Sequence, residues 1–334
     1  MPTASALRDE TWSSGDRILC QGTTVIEKPD IPDSVLVEGV HDGWGLFVDE
    51  VVFLPVGLDG AAWAYEVRIL GGGRRFLKVR TGEFTRPALP VPSYLFAHGL
   101  TQVVAPIGGV HAASGLRLAL YPFIDGENLW SRGLTDAQWT AYGRFLGALH
   151  AVELPDEVAA LLPIEAYAST APHRVRALAD QAAADPALGP LWRRHSGQLS
   201  AWADEAERLE CEAAAAPRPI VVCHADIHPG NLLADGSDDL RVVDWDAPVR
   251  APRERDLMFV FGTEFGEHPI NARREAQFRS GYGPLDLDDN MLRYYRLERR
   301  LDDVALFAAT VLDESATEAA RAYELELLAQ ILER

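Results

Sequence analysis

The 334-residue chain is 48% hydrophobic and 24% charged, a balance typical of globular proteins that excludes the disordered and fibrous classes. Its formal net charge of −19 disfavours nucleic acid and anionic membrane surfaces as partners and favours a cationic small-molecule substrate. The length is too great for one small core and predicts two lobes.

The chain begins without the features of a targeting segment. It lacks the basic start and apolar stretch of a secretory signal, and no run approaches about 18 apolar residues, so we expect a cytoplasmic protein with no membrane partner. Cys20, Cys211 and Cys223 are widely spaced and form no CxxC pair, which predicts reduced thiols. Residues 1–30 show no sustained period and are predicted to be an irregular leader.

The next part of the chain changes from a helical to a strand-like pattern. From Ile31, apolar residues at helical spacing predict a short amphipathic helix. Runs at 51–57, 61–70 and 74–80, separated by glycine-containing turns, predict an antiparallel meander. A proline-bearing segment with a helical end follows.

Two further strand-like runs, "TQVVAPI" (101–107) and "RLALYPFI" (117–124), complete an N-terminal lobe over 31–122 with about five strands and one or two helices. From Leu134 the pattern becomes helical, with Thr135 as a candidate N-cap and alanine-rich helices near 172–185 and 187–213. Residues 123–334 are therefore predicted to form a larger, mainly helical lobe.

The stretch "VVCHADIHPGNLL" (221–233) interrupts the helices. Asp226 precedes Asn231 by five residues, which is the D-x-x-x-x-N spacing of a kinase catalytic loop. A hairpin centred near residues 237 and 238 would place Asn231 across from Asp244. Amide and carboxylate oxygens held so close suit a hard cation such as Mg²⁺.

Phosphoryl transfer also needs groups that hold the nucleotide. Lys78 lies in the third predicted strand, where a kinase carries its phosphate-binding lysine. Gly57 and Gly60 lie between the first two strands, in a turn whose backbone is able to approach a phosphate chain. The order of these features favours a phosphotransferase.

With these residues in place, the sequence resembles the aminoglycoside phosphotransferase family, relatives of the protein kinases. The loop "HADIHPGNLL" is similar to that family's "HGDLHPGNLL". The segments "VVDWDAPVRAPRERDLMF" and "YYRLERRLDDVALF" look like the spectinomycin phosphotransferase branch. The resemblance implies an α+β, protein-kinase-like fold, with a small N-terminal antiparallel sheet lobe and a larger helical C-terminal lobe.

The same resemblance implies ATP and Mg²⁺ as cofactors and an alcohol group as acceptor. Asp226 would be the catalytic base or hydroxyl-orienting group. Asn231 and Asp244 would ligate Mg²⁺, and Lys78 would hold the α- and β-phosphates. The acceptor expected first is an aminocyclitol or aminoglycoside antibiotic, spectinomycin above all.

Three further roles follow from the resemblance. His224 would brace the loop backbone, and Asp256 would anchor the loop from a following helix. Backbone groups near Tyr121 and Phe123 would pair with adenine at the hinge. One departure stands out, because the helix after the Lys78 strand offers only Glu83 as the glutamate that kinases pair with their lysine.

The acceptor site is the least specified part of the sequence. Glu298, Asp302 and Asp303 are candidates for binding substrate ammonium groups, although "RLERRLDD" equally fits a helix surface with i,i+4 ion pairs. Kinases of macrolides, nucleosides or other hydroxylated amines share such a loop, so these acceptors stay open. We expect a monomer or a weak dimer.

Two alternatives belong to other functional classes. His224, Asp226 and His228 form an H-x-D-x-H pattern of zinc ligands, which would suit a metallohydrolase. A non-catalytic pseudokinase is the second alternative, although the residues for proton transfer and metal binding are all present.

Overall fold

The computed structural model describes residues 28–57, 61–236, 238–261 and 270–333. The predicted leader therefore lies almost wholly outside the described residues, and so does Gly60. The described strands are β1 Val48–Leu54, β2 Ala62–Ile69, β3 Arg74–Arg80, β4 His111–Ala113, β5 Leu116–Pro122, β6 Glu127–Asn128, β7 Val221–Cys223, β8 Leu232–Ala234, β9 Leu240–Val242 and β10 Val249–Ala251. The described helices are α1 Asp33–Trp44, α2 Pro90–Ala97, α3 Asp136–His150, α4 Asp156–Ala159, α5 Ala171–Ala184, α6 Gly189–Ala215, α7 Glu254–Phe261, α8 Ala272–Tyr282, α9 Asp289–Leu312 and α10 Glu318–Glu333.

The N-terminal sheet is antiparallel, with strand order β1-β2-β3-β5-β4. Strand β3 is central in this order, and its Lys78 pairs with Ala64 of β2 and Ala119 of β5. One face of the sheet packs on α1, whose Leu36 and Val40 are fully buried. The sheet therefore holds Lys78 between two small alanines, in the middle of a rigid scaffold.

One predicted strand is wrong. Residues 101–107 form no strand, and Val103 makes only an isolated bridge to Val242. Pro106 has no backbone N–H group, so it cannot donate a hydrogen bond to a neighbouring strand. The segment ties the two lobes instead, because Val104 N donates to Val242 O and Val242 N donates to Gln102 O. The edge strand of the sheet comes instead from His111–Ala113, which lies between the two predicted runs.

The C-terminal lobe is mainly helical and has its own large apolar core. Helix α3 begins as predicted, because the Thr135 hydroxyl accepts from Gln138 N while the Gln138 side chain accepts from Thr135 N. Helices α3 and α8 cross at two glycines, Gly143 and Gly281. The predicted α+β, two-lobed kinase-like fold is confirmed.

Two further points concern the chain as a whole. Among the described helices, none combines the length and the apolar character that crossing a membrane requires. Strand β5 ends at Pro122, and the division into lobes of 31–122 and 123–334 stays a prediction.

Candidate active site

A buried carboxylate holds the loop between β7 and β8 in place. Asp256 of α7 is fully buried, and its two oxygens accept from His224 N at 3.0 Å and Ala225 N at 2.7 Å. Ala225 has φ of +73°, which costs energy for a residue with a side chain. The two charge-assisted hydrogen bonds offset this cost and fix the backbone immediately before Asp226.

The side chain of His224 contacts both the loop that carries Asp226 and the segment that leads to Asp244. Its Nε2 lies 3.0 Å from Val243 O, and its Nδ1 lies 3.3 Å from Asp226 N. Since the carbonyl can only accept, the tautomer protonated at Nε2 satisfies both contacts. His224 therefore links the Asp226 loop to the strand end that carries Asp244.

Asp226 lies in this loop, and its carboxylate has one short contact and one longer one. Arg299 Nη1 donates to Oδ1 at 2.7 Å, and Asn231 Nδ2 lies 3.4 Å from Oδ2. Burial alone would raise the pKa of Asp226, but the charge of Arg299, with smaller contributions from His228 and His224, lowers it below its usual value. The carboxylate is therefore held in its ionised, proton-accepting form.

The hairpin after the loop differs from the predicted register by one residue. Leu232 pairs with Val242, and Val243 N donates to Asn231 O, so Asn231 lies opposite Val243 and not opposite Asp244. The prediction assumed a turn centre slightly too far along the chain, and one residue of slip changes every partner. Asp244 leaves the ladder with φ of +65°.

Asn231 and Asp244 nevertheless offer oxygens that suit Mg²⁺. Asn231 Nδ2 donates to Asp226 O at 2.8 Å, which leaves the amide oxygen as the unoccupied end of the side chain. The Asp244 side chain is 43% exposed, so its carboxylate is open to the cleft. An amide oxygen and a carboxylate are the hard donors that Mg²⁺ prefers, and these residues fit that ion.

Lys78 reaches this site from the N-terminal sheet. Its Nζ lies 2.7 Å from Asp244 Oδ1 and 2.6 Å from Asp246 Oδ2. Burial would lower the pKa of Lys78, but Asp244 and Asp246 raise it above its usual value. The ammonium group is therefore firmly charged and bridges the two lobes.

Glu83 is not the partner of Lys78. It pairs with Arg117 on the exposed face of the sheet, with Arg117 Nη2 at 2.6 Å from Glu83 Oε1. Helix α2 contains no acidic residue, and Asp246 occupies the carboxylate position beside Lys78 instead. Asp246 was not among the site residues predicted from the sequence, although the alternation of the two aspartates in "DWD" was a signal for it.

The predicted nucleotide-binding residues that the structure describes lie in or beside strands of the N-terminal sheet. Gly57 follows β1 and has φ of +98°, a conformation that favours glycine. Tyr121 lies in β5 opposite Phe76, and burial raises its pKa. Phe123 follows the strand and packs under the Arg74 guanidinium, 4.4 Å from the ring centroid. Their contacts with adenine or phosphate stay predictions.

The three carboxylates predicted for the acceptor site all have arginine partners. Glu298 Oε2 lies 2.7 Å from Arg255 Nη1, and Asp302 Oδ1 lies 2.5 Å from Arg174 Nη1. Asp303 Oδ1 lies 3.0 Å from Nε of Arg299, its i,i+4 neighbour on α9. Of the three, Asp303 is joined to Asp226 through one shared arginine. Arg299 was not among the site residues predicted from the sequence.

The H-x-D-x-H pattern does not assemble as a zinc site. His224 is used by the backbone as described, and His228 Nδ1 accepts from Gly230 N at 3.0 Å. In the described parts of the chain, the only group with potential ligand atoms close enough to share a metal is His150, Cys223 and Asp256. Asp256 already serves the loop amides, so nothing here supports the metallohydrolase alternative.

Comparison with known proteins places this geometry in a family. A profile described as the Phosphotransferase enzyme family matches residues 64–297, which is more than half of the chain. No match was found among curated protein sequences. The resemblance noted from "HADIHPGNLL" is confirmed.

Solved structures agree with the profile. Spectinomycin phosphotransferase APH(9)-Ia, in complex with ADP and spectinomycin, is 25% identical, with a TM-score of 0.81 over 92% of this chain and 98% of that one. Amicoumacin kinase hAmiN, in complex with AMP-PNP, Ca²⁺ and Ami, is 17% identical, with a TM-score of 0.60 over 90% and 92%. Macrolide 2′-phosphotransferase MphH from Brachybacterium faecium is 18% identical, with a TM-score of 0.56 over 87% and 97%. The last two show the fold alone.

The catalytic-loop arrangement, the lysine-bearing sheet and the family match agree on the class of enzyme. The chain belongs to the phosphotransferase enzyme family and is an antibiotic-kinase-like phosphotransferase.

Proposed function

We propose that the protein transfers the γ-phosphoryl group of ATP to a hydroxyl of an aminocyclitol or aminoglycoside, with spectinomycin as the first candidate acceptor. The observation that carries the proposal is an ion pair between the two lobes, in which Lys78 Nζ lies 2.7 Å from Asp244 Oδ1. The strand end before Asp244 is in turn tied by His224 to the Asp226 loop. The cationic Lys78, the oxygens proposed to bind Mg²⁺ and the proposed proton acceptor Asp226 are therefore connected in one site.

Each side chain then has a distinct task. Lys78 would hold the α- and β-phosphates, which are polyanionic and need a local cation in a chain of net charge −19. Asn231 and Asp244 would hold Mg²⁺, which when bound supplies neutralising charge at the β- and γ-phosphates. Asp226 would accept a hydrogen bond from the acceptor hydroxyl and align it for in-line attack.

The choice of acceptor is supported by charge and by structural similarity. The acidic protein attracts cationic molecules, and an aminocyclitol carries ammonium groups beside its hydroxyls. A structure 25% identical to this chain over nearly its full length is a spectinomycin phosphotransferase. Glu298 and Asp302, which already pair with arginines, would contribute to acceptor binding only if those pairs open.

The test is a coupled ADP-release screen with Mg²⁺ and ATP against spectinomycin, other aminoglycosides, macrolides, nucleosides and small amino alcohols. Mass spectrometry of the product should show one added phosphoryl group. Turnover confined to another acceptor would refute spectinomycin but keep the phosphotransferase assignment. Nucleotide binding without turnover on any acceptor would favour the pseudokinase alternative.

A further inference from the structure

A single arginine bridges the proposed catalytic aspartate to a second acidic residue. Arg299 of α9 donates through Nη1 to Asp226 Oδ1 at 2.7 Å and through Nε to Asp303 Oδ1 at 3.0 Å. Its guanidinium also lies near the face of Phe259, 5.9 Å from the ring centroid. The side chain is only 28% exposed, so these contacts fix it in one place.

The bridge controls the orientation of the Asp226 carboxylate. A carboxylate rotates readily about its terminal bond, and its two oxygens are equivalent until a partner distinguishes them. Arg299 takes Oδ1, and the contacts of Oδ2 are longer, 3.4 Å to Asn231 Nδ2 and 3.7 Å to His228 Nε2. Oδ2 is therefore the oxygen left to meet an acceptor hydroxyl.

Among the described residues, Arg299 is also the only lysine or arginine that forms an ion pair with Asp226. The contact crosses from α9 to the catalytic loop, between residues that are 73 positions apart. Asp303 holds the other edge of the guanidinium, so the arginine cannot follow Asp226 if that side chain turns. Helix α9, through Arg299, thus restrains the orientation of the Asp226 carboxylate.

We infer that Arg299, held by Asp303, is a positioning residue that turns the Asp226 carboxylate so that Oδ2 faces the acceptor hydroxyl. This inference rests on the proposed phosphotransfer. Orientation is worth much in such a reaction, because a misplacement of about 1 Å can cost about 100-fold in rate. The arginine acts through Asp226 and needs no contact with the substrate.

A competing role makes the opposite kinetic prediction. If Arg299 merely filled the place of an acceptor ammonium group, its removal would lower KM and leave kcat unchanged or higher. A positioning residue affects the step in which the hydroxyl attacks, so its removal lowers kcat and leaves KM for acceptor and ATP nearly unchanged.

The variants are chosen to separate charge from packing. Arg299→Met keeps much of the length and removes the charge, whereas Arg299→Lys keeps the charge but cannot bond both carboxylates as a planar fork does. Asp303→Asn removes the negative charge that holds Arg299 on the side away from Asp226. Arg300→Met is the matched control, because the neighbouring Arg300 stacks on Trp202 at 4.6 Å and does not pair with Asp226.

Steady-state kinetics with spectinomycin should show kcat reduced about 10- to 100-fold in Arg299→Met and only partly restored by Arg299→Lys. Asp303→Asn should show a smaller fall in the same direction, and Arg300→Met should resemble the wild type. Nucleotide affinity and the thermal midpoint of Arg299→Met would show that the variant is folded. An unchanged kcat, or a KM effect alone, overturns the inference.

A crystal structure of Arg299→Met with Mg²⁺ and AMP-PNP tests the inference without turnover. We expect the Asp226 carboxylate to be rotated or to occupy more than one orientation, compared with one orientation in the wild type. A carboxylate that keeps its wild-type orientation overturns the positioning role whatever the kinetics show. If the wild type does not turn over spectinomycin, the proposed acceptor fails and this crystallographic comparison alone decides the role of Arg299.

Discussion

At the scale of single residues, few polar atoms of the described site residues lack a hydrogen-bond partner within the protein. Asp226 and Asn231 both bond to neighbouring groups, and the Asn231 amide oxygen and Asp226 Oδ2 are the atoms that would meet the proposed metal and acceptor hydroxyl. Such preorganisation matters because phosphoryl transfer demands little covalent chemistry from the protein and much positioning.

Removal of Asp226 should abolish most turnover and spare nucleotide binding. In Asp226→Ala, we expect kcat to fall about 100- to 10 000-fold, the usual contribution of a positioned proton acceptor. Nucleotide affinity should stay nearly unchanged, because Lys78, Asn231 and Asp244 remain. ADP release and calorimetric titration with AMP-PNP measure the two effects. Retained turnover would contradict the catalytic role, and the exposed Asp180→Asn serves as control.

The partner of Lys78 gives a second prediction at this scale. With Asp244 in its proposed role as a Mg²⁺ ligand, Asp246 would be the carboxylate that holds Lys78. Asp246→Asn should therefore raise KM for ATP about 10-fold, which is ~1.4 kcal/mol. Glu83→Gln is the matched control, because Glu83 pairs with Arg117 and not with Lys78. Equal effects of the two substitutions on KM would refute this assignment.

At the scale of secondary-structure elements, helices α3 and α8 contact each other through glycine. A Cβ added to Gly143 would lie 2.0 Å from Phe278 O, and one added to Gly281 would lie 2.0 Å from Thr140 O. The helices therefore approach backbone to backbone. Helix α3 also carries Tyr142, whose hydroxyl donates to Ile227 O of the catalytic loop at 2.6 Å.

Substitution of these glycines should destabilise the protein. Gly143→Ala or Gly281→Ala forces the helices apart, and we expect a loss of about 3 kcal/mol in the free energy of unfolding. Gly197→Ala is the control, because Gly197 lies in the middle of α6 with nothing within 4 Å of an added Cβ. That substitution should stabilise by about 0.5–1 kcal/mol. Chemical denaturation measures all three, and three similar values would contradict the close helix contact.

At the scale of the whole molecule, two acidic side chains, Asp303 of α9 and Glu324 of α10, lie close enough to influence each other. Burial raises the pKa of Asp303 to about 6, against the opposing effect of Arg299. Burial and the nearby Asp303 raise the pKa of Glu324 to about 7. Among the described residues, Glu324 Oε2 has no hydrogen-bond partner. The fold therefore disfavours the ionised forms of both groups.

This pair predicts how global stability depends on pH. A carboxyl group whose pKa is raised by folding favours the folded state while it is protonated, and this contribution is lost as the pH rises through about 7. Glu324→Gln should raise the Tm at pH 8 by on the order of 2 °C, since partial exposure reduces the effect to about 1 kcal/mol.

The advantage of Glu324→Gln should shrink as the pH falls below about 7 and disappear well below pH 4.5, where the wild-type group is protonated in both the folded and the unfolded state. Differential scanning calorimetry across this range measures it. Glu326→Gln, at an exposed position of the same helix, should show no such pH dependence. A benefit of the same size at every pH would argue against the ionisation of Glu324 as its cause.

Local patterns predicted most of the architecture. The three-strand meander, the strand that carries Tyr121 and the N-cap at Thr135 all follow from alternation, helical period and capping chemistry. The predicted strand at 101–107 failed because Val103 packs into the core of the helical lobe while Ile107 packs against the core of the N-terminal sheet, and only an isolated bridge forms. Apolar character alone does not say what a segment packs against.

The fold class, the family and the Asp226 loop could be predicted from the sequence, because they depend on spacings that the chain carries locally. The pairing of Lys78 with Asp246 and the bridge from Asp303 through Arg299 to Asp226 could not be predicted, and they follow from the folded arrangement of the chain. The same is true of the position of Asn231 opposite Val243. Long side chains choose among many partners of opposite charge, and only the packing of the two lobes and of α9 brings one of those partners within reach.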